Sequence, residues 1–120
     1  MSESDEARVV TKNLYAVTTT PLVEREKVME VLPEHLAYQV SLEERGIMFA
    51  AGPLFNEEGA PPRAGLIIIR ANSFAEAEAI AKADPMHVRG IRSYTIDRWQ
   101  INEGSFTIKL QFDSGIARVE

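Results

Sequence analysis

The sequence contains no cysteine, only two histidines and a single tryptophan in 120 residues. Without cysteine there is no disulfide, no thiolate metal site and no thiol nucleophile, and a cytoplasmic, reducing compartment is the natural expectation. Basic clusters are missing too. The formal net charge is −5, whereas phosphate binding needs grouped Lys and Arg to release counterions, so no nucleic-acid partner is expected. No apolar stretch approaches the ~20 residues that cross a bilayer. The segment Met1–Arg8 holds three acids and lacks the apolar run of a signal peptide. No membrane partner is expected either. G-x-S-x-G, P-loop and H-E-x-x-H patterns are absent, and Gly52, Gly59 and Gly65 have the wrong spacing for a phosphate cradle.

What remains is an ordinary globular mixture, 45% apolar and 26% charged, in a chain long enough for one domain with its own core. Residues 1–12 are polar and read as a flexible leader. Leu14–Val17 followed by Thr18–Thr20 predicts a strand that leaves at Pro21. Residues 24–45 predict a helix with Val28, Val31 and Leu32 at helical spacing, interrupted at Pro33. A second piece follows, in which Leu36 and Val40 share a face, and Gly46 supplies a left-handed stop. Ile47–Ala51 predicts the second strand, bent at Gly52-Pro53, and Leu66–Ile69 the third. Ser73 and Glu76 form a capping box that opens a helix burying Phe74, Ala77, Ile80 and Ala81, and Asp84-Pro85 closes it. Arg92–Ile101 alternates as a fourth strand, and Phe106, Ile108, Leu110 and Phe112 give an additional C-terminal strand before a frayed end. The order β-α-β-β-α-β is that of the ferredoxin-like α+β fold, spanning residues 13–101, with 102–120 as an extension.

Such a sheet carries helices on one face only, so its other face normally alternates with polar residues. Ile47–Ala51 and Leu66–Ile69 do not alternate, which predicts a homodimer through the sheet faces. The extra strand could clasp that interface, or fold back over its own sheet.

Few side chains can do chemistry. His35 lies near the start of the second helical piece and Asp84 at the end of the later helix. Each has a plain reading, as a half-buried helix residue and a turn residue. A carboxylate at a helix C-terminus, however, opposes the macrodipole and invites a specific partner. Helices lying side by side can bring the two together, and a histidine held by a carboxylate is a competent acid–base pair. His87 could join them or be a loop residue. Two histidines and an aspartate could bind a metal, but no compact ligand spacing supports it, so no metal is expected.

The segments His35-Leu36-Ala37-Tyr38, Glu44-Arg45-Gly46 and Ala50-Ala51-Gly52-Pro53-Leu54, then Ser73–Ala79 leading to Ala83-Asp84-Pro85-Met86, and the strand with Trp99 together resemble the YCII family. The resemblance covers residues 14–100 and implies a dimeric α+β barrel whose active site is a His–Asp pair, here His35 and Asp84. It implies a cofactor-independent enzyme acting on a small cyclic or aromatic substrate. Dehydrochlorination of a chlorinated hydroxyhydroquinone is one activity found in the family. A muconolactone-type isomerase and a non-catalytic small-ligand binding protein are the alternatives. In this reading His87, Arg89 and Arg92 stabilise a phenolate or departing chloride, and Gly52 and Pro53 complete the substrate-binding set. Met86-His87 stands where the family often has an aromatic, and the chain runs on past Trp99.

Overall fold

The computed structural model describes residues 13–113 and 116–119, and the leader expected over 1–12 lies outside them. Strand β1 (Leu14–Pro21) leads to helix α1 (Arg25–Glu44), then β2 (Met48–Leu54), β3 (Ala64–Arg70), α2 (Phe74–Lys82), the single turn α3 (Pro85–Val88) and β4 (Arg92–Trp99). The sheet order is β2-β3-β1-β4 with every neighbour antiparallel. The fold is α+β and ferredoxin-like.

The pleat of β1 decides which side chains meet the helices, because alternate residues point to opposite faces. Tyr15 and Val17 join Ile67 and Ile69 of β3 and Ala77 and Ala81 of α2 in one buried cluster, with Tyr94 and Ile96 of β4 packed against it. Thr19 continues that inward row and is buried. Leu14, Ala16 and Thr18 take the other face, opposite Trp99, Asp97 and Thr95. Leu14 and Ile68 are buried even there. A second cluster of Val28, Val31 and Met86 ties α1 to α3. Met86 is 0% exposed, and burying such a side chain contributes roughly 1.5–3 kcal/mol.

Helix α1 is continuous through Pro33, which corrects the expected interruption. The bond Pro33 cannot donate would go to the carbonyl of Met29, on the exposed side of the helix where water can take it. Val28 and Val31 before the proline and Leu42 after it are buried, so tertiary packing holds both halves in one line. Leu36 and Val40 do share a face, but it is half exposed. Gly46 ends the helix at φ 72°, with Gly46 N–H donating to Glu43 O and Ile47 N–H to Leu42 O, a Schellman closure.

Three further expectations are corrected. Gly52-Pro53 does not bend β2; the irregularity falls between Met48 and Ala50, and Pro53 is tolerated because β2 is an edge strand. Phe74 is largely exposed, touching the core only through an edge-on contact of 5.0 Å with the Tyr15 ring. The C-terminal addition is a hairpin of β5 (Ile108–Gln111) and β6 (Ile116–Val119), a separate two-stranded sheet in place of a single strand and a frayed end. The capping box is half visible: Ser73 Oγ accepts from Glu76 N–H at 3.1 Å.

Candidate active site

The inward face of α1 runs Val28, Val31, His35, Gln39 and Leu42, steps of three and four residues that place them in one stripe. Apolar residues anchor its ends, and His35 and Gln39 stand in its middle. Asp84 lies opposite. Because α2 stops at Lys82 and Pro85 starts a new turn, Asp84 is the N-cap of α3. Its Oδ1 accepts from Met86 N–H at 2.9 Å. The supposed conflict with a helix C-terminus disappears, since the carboxylate belongs to the start of the next turn.

The two elements bring His35 and Asp84 together. His35 Nδ1 lies 2.9 Å from Asp84 Oδ1 and 2.8 Å from Oδ2. A carboxylate only accepts, so Nδ1 carries the hydrogen and Nε2 is left as the ring's basic nitrogen. Nε2 has no hydrogen-bond partner among the described residues, and the His35 side chain is 17% exposed against 2% for Asp84. Gln39 Nε2 adds a long contact of 3.5 Å to Asp84 Oδ2. Burial pushes the Asp84 carboxyl upward. The His35 hydrogen bond, the Met86 N–H and the charges of His35 and His87 outweigh it and hold the group below its ordinary value.

His87 sits beside this pair with both nitrogens occupied. Nδ1 is 2.6 Å from the Ala81 carbonyl, which can only accept, so Nδ1 is the donor. In the neutral ring Nε2 then accepts from the Thr19 hydroxyl at 2.8 Å. The ring is tilted over Tyr94 at 4.3 Å. Tyr94 in turn donates to Glu78 at 2.6 Å, an acceptor that, with some burial, pushes the phenol up to about 12. Tyr38 donates to the Ile80 carbonyl at 2.7 Å. Burial is the main cause of its raised value, and Arg45 works against it. A cavity of about 10 Å³ lies beneath, lined by Val17, Tyr38, Leu42, Asp84 and His87. It is no larger than one water, so it cannot hold a ring-sized ligand.

The other expected residues are scattered. Arg92 opens β4 and reaches the Thr19 carbonyl through Nη1 at 3.5 Å. Burial lowers its value and the Asp84 charge partly offsets this. Arg89 pairs with Glu34 at 2.7 Å, both half exposed. Pro53 pairs with Gly65, which pairs with Thr19, so one row crosses the sheet to the site. Gly52 pairs with Leu66, on the alternate register row. Gln39, Tyr38 and Thr19 were not singled out in the sequence. A polar residue inside the stripe Val28–Leu42 would have marked Gln39, and the period-two row Tyr15-Val17-Thr19 would have marked Thr19. Among the described residues no group of three or more His, Cys, Asp or Glu could hold a metal ion, and no helix is long and apolar enough to cross a membrane.

The family model of the YCII-related domain matches residues 11–100. No curated protein matches the sequence. Among solved structures the chain is similar to 5-chloro-2-hydroxyhydroquinone dehydrochlorinase (TftG) from Burkholderia phenoliruptrix AC1100 in complex with 2,5-dihydroxybenzoquinone. The TM-score is 0.63 at 19% identity, covering 74% of this chain and 95% of that one.

Proposed function

This chain belongs to the YCII-related domain family, and we propose that it is a cofactor-independent enzyme in which His35 and Asp84 act as an acid–base pair on a small cyclic substrate. One observation carries the reading. His35 is fixed through Nδ1 on a buried carboxylate, and its Nε2 is left without a partner among the described residues. That arrangement suits proton transfer, because the carboxylate sets the tautomer and stabilises the imidazolium that forms.

The reaction we assign is dehydrochlorination of a chlorinated hydroxyhydroquinone; the similarly folded dehydrochlorinase acts on such a compound. The substrate first moves a hydroxyl hydrogen onto the chlorine-bearing carbon, the oxygen it leaves becoming a carbonyl in the keto tautomer. His35 Nε2 then takes a hydroxyl proton. That oxygen's electron pair closes a carbonyl, and the displaced ring electrons leave with chloride. The products are a hydroxyquinone, chloride and a proton, so no oxidant is needed. Wild-type protein given the chlorinated hydroxyhydroquinone is expected to release chloride and raise quinone absorbance in equal amounts. Chloride release without quinone, or neither, would reject the assignment.

The same reading places two copies against each other through the sheet faces that carry no helix. Leu66 is partly exposed there, and Trp99 is 41% exposed. Phe106, Ile108, Leu110 and Phe112 are exposed on and around the hairpin, and an isolated two-stranded hairpin is marginal in water. Light scattering is expected to give twice the 13.4 kDa chain mass, and a monomer at micromolar concentration would remove the dimer from the proposal.

A further inference from the structure

Arg92 is a half-buried cation beside the His35–Asp84 pair. Its Nε is buried with no hydrogen-bond partner, and among the described residues the guanidinium's hydrogen-bond contact is the long 3.5 Å approach of Nη1 to the Thr19 carbonyl. No carboxylate lies within ion-pair range of it among the described residues. Asp84 is near enough to act on it through charge, but that carboxylate is already engaged by His35 and the Met86 N–H. A guanidinium withdrawn from water without a partner costs stability, and its planar fork matches an oxyanion.

The backbone packs closely against one side of the guanidinium. Gly65 faces Thr19 across the sheet, and a Cβ built there would stand 3.6 Å from Arg92 Nη1 and 3.0 Å from Thr19 Cγ2. Any side chain at that position would fill the space against the guanidinium. Thr19 joins the two halves of the site, its hydroxyl on His87 and its carbonyl on Arg92.

We propose that Arg92 is the anion-binding group of this site, receiving an ionised oxygen of a ring substrate while His35 Nε2 handles the proton. The proposal rests on the acid–base reading for where the substrate lies, and it narrows the substrate class to ring compounds that are anionic when bound. Under it, Gly65 keeps a side chain from crowding Thr19 and the guanidinium.

The probes are 2-hydroxy-1,4-benzoquinone, ionised at neutral pH, and its neutral methyl ether. The chain has no cysteine to add to either quinone. Titration calorimetry on the full chain is expected to show the anion bound about ten- to a hundredfold tighter than the ether, as a charge-assisted hydrogen bond implies. Arg92→Gln should erase that preference while binding the ether as wild type does. Arg92→Met, which puts an apolar chain in the pocket in place of a buried charge, should do the same and guards against misfolding of the first variant. His35→Asn should keep the preference. Equal binding of anion and ether by wild type, or an unchanged preference in both Arg92 variants, overturns the proposal. Turnover surviving in His35→Asn with the preference still lost in the Arg92 variants would sink the acid–base reading and leave the anion site standing.

Discussion

Chloride release from the chlorinated hydroxyhydroquinone is expected to fall by ~10²–10⁴ in His35→Asn, the span a positioned general base contributes. Asparagine is the informative choice because its side-chain N–H can take the place of His35 Nδ1–H against Asp84, a contact of 2.8 Å in the native chain. The buried carboxylate then keeps its donor, and the thermal midpoint should stay within a few degrees. Nε2, the atom with no partner among the described residues, is what disappears. His35→Ala should lose the same activity but also stability, since it strands a carboxylate that is 2% exposed. Activity retained in His35→Asn would show that the proton goes elsewhere, with His87 the next group to test.

Asp84 separates into two roles through two substitutions. In Asp84→Asn the oxygen that accepts from Met86 N–H can remain, so the start of α3 is preserved. The amide N–H₂ now faces His35, and the imidazole must turn its lone pair toward it. The basic nitrogen is then spent inward, and turnover should again drop by ~10²–10⁴. Asp84→Ala also leaves the Met86 N–H without its partner beside a side chain that is 0% exposed, so a further loss of ~1–3 kcal/mol is expected in urea unfolding. The pH dependence follows from the same carboxylate. Its value in the fold is lowered, so below the ordinary carboxylate value of ~3.9 the unfolded chain takes up its proton first. The contribution is therefore whole above that pH and is lost as the pH falls toward the folded value. Unfolding profiles of wild type and Asp84→Asn should run parallel near neutrality and converge below about pH 4. Profiles that stay parallel into acid would show that Asp84 is not held ionised by its partners.

Local pattern carried much of this architecture. The apolar runs Leu14–Val17 and Leu66–Ile69, the Ser73 cap and the left-handed Gly46 are properties of neighbouring residues, and they pointed to the element order without any tertiary information. His35 and Asp84 stood out for a related reason: the chain holds two histidines, and a carboxylate before Pro85 is conspicuous. Pro33 was misjudged because its cost is local, whereas the burial of Val28, Val31 and Leu42 that overrides it is not. Phe74 was misjudged because helical spacing gives a face and not what lies against it. Contacts across 49 and 68 positions, His35 with Asp84 and Thr19 with His87, depend on where α1 and α3 pack against the sheet. So do the tautomers those contacts impose, and so does the buried, unpartnered Nε of Arg92. Sequence by itself determined which groups were available and the order of the elements that carry them. Only the tertiary structure decided which nitrogen of His35 is left for chemistry, because that depends on the direction from which a distant carboxylate approaches the ring.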